Sequence, residues 1–223
     1  MTPRIFLVHA VDVSLAPASS SFKRLWPEAN VINLLDESLA ADILIDGKVT
    51  DRIIDRFAQL GRYCVSAGAH AILFTCSAFG QAIEPLKAQH KIPILTPNEA
   101  LFEEMLALKG RCALLTTFDP SLQALRDEFF SMAQRAGVSP VVDSFVVQGA
   151  LDELLAQRND EHDRLVAQQV NQLGGYDAVA LGQFSMANAA NHPTIDPAIR
   201  ILTTPDCAVR KLKGLVKSSA ADS

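Results

Sequence analysis

Short, unbroken apolar runs alternate along this chain with longer stretches whose apolar residues recur every three or four positions. Ile5–Ala10 is the first such run, and a continuous apolar run marks a strand covered on both faces. Ser19–Trp26 reads as a short helix and Val31–Leu35 as a second strand. From Asp51 to Ala67 the apolar positions 53, 54, 57, 60, 64 and 65 share one helical face. Thr50 is the expected cap of that helix and Gly68 its expected stop. Ala71–Cys76 is a third strand, Phe79–Gln89 a helix that must accommodate Pro85, and Ile92–Leu95 a fourth strand. Asn98–Leu108 follows as a helix, with Glu99, Glu103 and Glu104 early, where the helix dipole favours acids. At Arg111–Thr117 the order of elements begins again.

The restart has a constant offset. Adding 107 to Arg4 gives Arg111, and the same step carries Asp12, Ser14 and Leu15 to Asp119, Ser121 and Leu122. Val31 and Asp36 fall on Val138 and Asp143, Gly68 and Ala71 on Gly175 and Ala178, and Ile94–Thr96 on Ile201–Thr203. This is the signature of an internal duplication. Alternating strands and helices imply mostly parallel sheets with right-handed crossovers. The expected fold is therefore α/β, with two pseudo-symmetric half-domains over residues 1–107 and 108–214 and a polar tail over 215–223. Ligands of open α/β sheets bind at the carboxyl ends of the strands, so the active site is expected in a cleft lined by the strand ends of both halves.

Composition narrows the classes of function. The 223 residues carry 20 Lys+Arg against 25 Asp+Glu, a net charge of −5, and no basic block suited to nucleic acid is present. No apolar run approaches the ~18 residues that span a bilayer, and Ile5–Ala10 is too short for a signal-peptide core. The cysteines at 64, 76, 112 and 207 form no metal or redox spacing, which reads as reduced thiols of a cytoplasmic protein.

The strand ends hold the candidate chemistry. The first strand of each half leads into His9, Asp12 and Ser14, or into Thr116, Thr117, Asp119 and Ser121. The third leads into Thr75–Cys76–Ser77–Ala78–Phe79–Gly80, or Gly182–Gln183–Phe184–Ser185. The fourth leads into Thr96–Pro97–Asn98–Glu99, or Thr203–Thr204–Pro205–Asp206. Small hydroxyls and backbone N–H groups at helix starts suit a small carboxylate. Cys76 stands after a buried strand and before a helix, where a thiol is readily ionised. Cys64 and Cys112 read as core, and so does Cys207. Asp119–Pro120 reads as a helix cap with proline in the first turn. Asp12 either holds its own loop or meets a substrate ammonium. His9 is either a partner behind the site or a packed core histidine, and His162, in a charged helix start, is expected to be solvated. No Lys stands at a strand end, so a pyridoxal phosphate Schiff base has no candidate, and no dinucleotide fingerprint or P-loop occurs.

The duplicated halves, the Thr75–Cys76–Ser77 turn, the Leu181–Gly182–Gln183 turn opposite it, Asn98–Glu99–Ala100 and Leu202–Pro205 together resemble the aspartate/glutamate/hydantoin racemase superfamily over nearly the whole chain. The resemblance implies a homodimeric, cofactor-independent isomerase in which two cysteines, one per half, exchange the proton next to a carboxylate. Carried over, Cys76 is the first-half thiol. Asp12, Ser14, Thr75, Ser77, Ala78 and Asn98, with Thr117, Gln183, Phe184 and Ser185 from the second half, hold the small carboxylate substrate. The second cysteine position is Gln183, whose amide is neither acid nor base near neutral pH. A decarboxylase or lyase of malonate-like acids, needing one proton donor, and a non-catalytic binder of small carboxylates stand as alternatives.

Overall fold

A computed structural model describes residues 2–76 and 80–221. The strands are β1 (Arg4–His9), β2 (Asn30–Leu35), β3 (Ala71–Phe74), β4 (Ile94–Leu95), β5 (Arg111–Thr116), β6 (Val141–Val146), β7 (Ala178–Leu181) and β8 (Ile201–Thr203). The helices are α1 (Leu15–Leu25), α2 (Ser38–Asp46), α3 (Asp51–Ser66), α4 (Gly80–Gln89), α5 (Glu99–Leu108), α6 (Asp119–Ala136), α7 (Ala150–Leu155), α8 (Asn159–Asn171) and α9 (Thr204–Ala221). Two compact units result, one of residues 1–99 with 208–223 and one of residues 100–207. Each holds a four-stranded parallel sheet, in the orders β2-β1-β3-β4 and β6-β5-β7-β8.

The two sheets repeat one another in register as well as in order. Ile5 pairs with Ala71 and Cys112 with Ala178; Ile72 pairs with Ile94 and Val179 with Ile201. The step of 107 therefore holds for two of the three strand pairings in each sheet. Details follow it too. Arg4 N–H donates to His70 Nδ1 at 3.0 Å, and Arg111 N–H donates to Asp177 Oδ2 at 2.7 Å. The second strand breaks the step. β1 pairs Ile5 with Val31, but β5 pairs Cys112 with Val142. Val31 and Asp36 therefore do not correspond to Val138 and Asp143: Val138 lies beyond Gly137, the left-handed residue that ends α6, and Asp143 lies within β6. The longer helix α6 displaces the following strand by four residues.

Each sheet builds its own core. In the first unit Phe6, Ile53, Phe57, Ile72, Phe74, Ile83 and Leu86 are buried together. Phe57 and Phe74 meet at 5.3 Å between ring centroids. Gly61 lets α3 lie against Leu86 of α4, since a Cβ there would come within 2.4 Å of the leucine. In the second unit Leu115, Val147, Val166, Val170, Val179, Leu181 and Met186 form the counterpart. Continuous apolar runs thus become central strands with both faces covered.

Several expectations are corrected. Thr50 occupies the N-cap position of α3, as expected, but its side chain makes no cap bond, and its hydroxyl is buried without a partner among the described residues. Asp119 is not the cap of α6; Phe118 holds that position and Asp119 lies exposed in the first turn, beside Pro120. His162 is buried in α8, not solvated, with Nδ1 2.8 Å from Asp163 Oδ1. The segment 215–221 continues α9, with Val216 buried. Helix α2 was hidden in the sequence because Leu44 and Ile45 leave its apolar residues on more than one face, and both are more than 80% exposed.

Candidate active site

In the first unit the carboxyl ends of β1 and β3 meet in a buried polar knot. Strands β1 and β3 are hydrogen-bonded neighbours, with Val8 opposite Phe74, so the residues just beyond them, His9 and Thr75, are held side by side. His9 Nδ1 lies 2.8 Å from both Ser14 Oγ and Thr75 Oγ1, and the two hydroxyls are 3.1 Å apart. On its other edge His9 Nε2 lies 3.0 Å from Asn33 Oδ1 of β2. Ser14 also donates to Val11 carbonyl oxygen at 2.9 Å, which closes the turn Asp12–Ser14. His9, Ser14 and Thr75 are all buried. Burial pushes the His9 pKa down, against the opposing pull of the Asn33 hydrogen bond, so the ring is neutral at pH 7.

Neutral His9 leaves a closed proton count. With Nε2–H donating to Asn33, Ser14 donates to Val11 and Thr75 donates to Nδ1. With the other tautomer and the Asn33 amide turned over, Nδ1–H donates to Thr75, Thr75 to Ser14, and Ser14 to Val11. In both arrangements each hydroxyl proton has an acceptor inside the knot. Cys76 follows Thr75 directly and is half-buried, whereas Cys64, Cys112 and Cys207 are buried. Burial pushes Cys64 up to about 12 and also raises Cys112, so both are inert thiols near neutral pH. Ser77 and Ala78 lie outside the described residues. Asp12 is exposed at the start of the turn that Ser14, not Asp12, closes.

Beyond β4, the side chain of Glu99, the first residue of α5, folds back onto Thr96. Glu99 Oε2 accepts the backbone N–H and the hydroxyl of Thr96, each at 3.0 Å. Lys211 reaches Oε1 at 2.8 Å, and Lys87 pairs with Oε2. Burial alone would raise Glu99; the bonds from Lys211 and Lys87 outweigh it and hold the carboxyl below its ordinary value. The early position of Glu99 in its helix points to the dipole alone; nothing in the sequence spacing links it to Lys87 or Lys211. Asn98, just before α5, is 1% exposed, and neither its Oδ1 nor its Nδ2 has a partner among the described residues. A buried amide with both ends unsatisfied is costly unless a ligand or water completes it.

The second unit carries a parallel arrangement with different chemistry. Thr116 stands where His9 does, Ser121 where Ser14 does, and Gln183 where Cys76 does. Thr116 Oγ1 lies 3.0 Å from Ser121 Oγ, and Ser121 donates to Phe118 carbonyl oxygen at 2.8 Å. Gln183 Oε1 accepts from Thr117 N–H at 2.7 Å, Thr116 Oγ1 at 2.9 Å and Thr117 Oγ1 at 3.0 Å. A backbone N–H fixes which end of the amide is oxygen, so the other end is the NH₂ donor. Thr117, expected to hold substrate, spends its donors on Gln183. Phe184 is buried and Ser185 half-buried in the 3₁₀ segment that follows, Phe184–Asn191. Gly182 permits the strand end: a Cβ there would stand 2.9 Å from Leu115 carbonyl oxygen. Among the described residues no cluster of His, Cys, Asp or Glu could hold a metal ion, and no helix is long and apolar enough to cross a membrane.

This doubled, parallel α/β fold has known counterparts. A sequence profile for Asp/Glu/hydantoin racemases matches residues 25–212, so the chain belongs to that family. An aspartate racemase homologue from Pyrococcus horikoshii superposes with a TM-score of 0.66 at 15% identity, covering 97% of this chain and 100% of that one. The aspartate racemase of Picrophilus torridus gives 0.71 at 10% identity, over 96% and 94%. An unliganded arylmalonate decarboxylase gives 0.55 at 13%, over 96% and 93%. None of the curated proteins compared with this chain matches it.

Proposed function

We propose that the chain is a cofactor-independent enzyme that moves a proton at the carbon next to the carboxylate of a small acid, with the Cys76 thiol as the acid/base. The carrying observation is the address of Cys76. It is the half-buried thiol at the end of β3, directly after a Thr75 hydroxyl fixed by His9 and Ser14. Its thiolate removes the α-proton and its thiol returns one. Asn98 supplies an amide that a substrate carboxylate would satisfy, and Ser77, Ala78, Asp12, Phe184 and Ser185 complete the proposed binding set.

Gln183 favours a second reading within the same chemistry. Its oxygen is held by three donors, so at the position of the second thiol stands a hydrogen-bond donor and not a base. A reaction that needs one protonation, such as loss of carbon dioxide from a malonate-like acid, fits a single thiol; the likeness to arylmalonate decarboxylase agrees with it. The test is a panel of amino, hydroxy and alkylmalonic acids incubated in deuterated water and followed by NMR. Exchange, isomerisation or decarboxylation of at least one acid supports the reading. No reaction with any, alongside measurable binding, would make the chain a carboxylate binder.

A further inference from the structure

The internal duplication provides a control for what His9 does. In both units the residue that ends the first strand contacts a serine five positions on. His9 Nδ1 meets Ser14 Oγ at 2.8 Å and Thr116 Oγ1 meets Ser121 Oγ at 3.0 Å. In both units that serine donates to the carbonyl three residues before it, Val11 at 2.9 Å and Phe118 at 2.8 Å. In both, the hub then reaches across to the end of the third strand. Thr116 bonds Gln183 itself at 2.9 Å, and His9 bonds Thr75, the residue before Cys76, at 2.8 Å. The frame is one device used twice, and its repeated output is to fix the residue at the head of the third strand. Only in the first unit is the hub titratable, and only there does a further residue, Asn33 on the edge strand β2, hold its far side.

We propose that His9 is the positioning residue of the Cys76 strand end, and that Asn33 keeps its imidazole in place. This rests on Cys76 being the reacting thiol. A neutral ring closes the proton count of the knot. With Asn33 Oδ1 facing Nε2, the neutral ring carries its proton there and accepts from Thr75 at Nδ1; a protonated ring must donate from both nitrogens, which turns the Thr75 proton from Nδ1 toward Ser14 and reorders the hydroxyl beside Cys76. Among the described residues no other charged group is hydrogen-bonded into this knot: its remaining members are the hydroxyls of Ser14 and Thr75, the amide of Asn33 and the carbonyls of Val8 and Val11.

The test reads Cys76 without requiring turnover. Iodoacetamide labelling of Cys76 is followed by peptide mass spectrometry from pH 5 to 9 in the wild type, Asn33→Asp and Asn33→Asp/His9→Gln. Asn33 is exposed on an edge strand, so the carboxylate variant folds. A carboxylate against Nε2 raises the His9 pKa by about one unit or more, which NMR of the imidazole records independently. The expected result is a new inflection in the Cys76 labelling profile of Asn33→Asp, at the His9 pKa, that His9→Gln removes. If the His9 pKa rises and the profile stays superimposable on the wild type, the proposal is overturned. If the His9 pKa does not move, Asn33 does not hold the ring and the proposal is overturned as well. Labelling proceeds whether or not any acid is turned over, so this failure is distinct from failure of the proposed reaction.

Discussion

Thr117 donates its backbone N–H to Gln183 Oε1 at 2.7 Å, and its hydroxyl to the same oxygen at 3.0 Å. One side chain thus satisfies a buried main-chain donor and has its own amide orientation set in return. Gln183→Ala leaves Thr117 N–H without its acceptor and is expected to cost about 1–3 kcal/mol. Gln183→Glu keeps an oxygen at that place and is expected to stay within about 1 kcal/mol of wild type. Urea denaturation of the two variants distinguishes this from a surface glutamine, for which both would be neutral.

Much of the frame was legible in the sequence because the physics that builds it is local. Runs such as Ile5–Ala10 and Ala71–Phe74 carry both-face burial in their composition, and the step of 107 survives wherever strands pair in the same register. It failed at Val138 and Asp143 because the length of α6 is free to vary while β6 still pairs with β5. The site was legible as a set of strand ends, not as a network. Nothing in the spacing of His9, Asn33 and Thr75 says that three neighbouring parallel strands bring them within hydrogen-bond reach, and Lys211 reaches Glu99 from more than a hundred residues away. His162 was misread because charged neighbours on a helix say little about the face its ring occupies.

Glu99 makes stability depend on pH in a stated direction. Its carboxyl binds a proton less tightly folded than unfolded, so the pairs with Lys211 and Lys87 stabilise the fold above the unfolded carboxylate value of about 4.3. That contribution is lost as pH falls through the lower, folded value. Glu99→Gln is expected to lose about 1–3 kcal/mol at pH 7 and progressively less in acid, once the pH is below the unfolded carboxylate value of about 4.3. Denaturant midpoints at pH 7 and near pH 3 check the sign; an equal deficit at both would refute it.

Gly182 marks a close approach of backbone to backbone. Gly182→Ala drives a Cβ to 2.9 Å from Leu115 carbonyl oxygen and is expected to destabilise by about 1–3 kcal/mol. Gly174, with open space around it, is the control, and its alanine variant is expected within about 0.5 kcal/mol of wild type. Thermal unfolding of both variants reads the difference.

The four thiols are expected to separate by reactivity. At pH 8 iodoacetamide labels half-buried Cys76 first, while Cys64, raised to about 12 by burial, and the buried Cys112 and Cys207 react only after denaturation. Mass spectrometry of the time course shows the order, and faster labelling of any of the three buried thiols would contradict it.

Cys76 is the proposed proton carrier. The most direct measurement is the rate of α-deuterium incorporation into the acid that the wild type processes, compared with Cys76→Ala under the same conditions. A loss of about a thousandfold or more, within the range typical for removing an acid/base, is the predicted result. Incorporation by Cys76→Ala within threefold of the wild type would contradict the assignment.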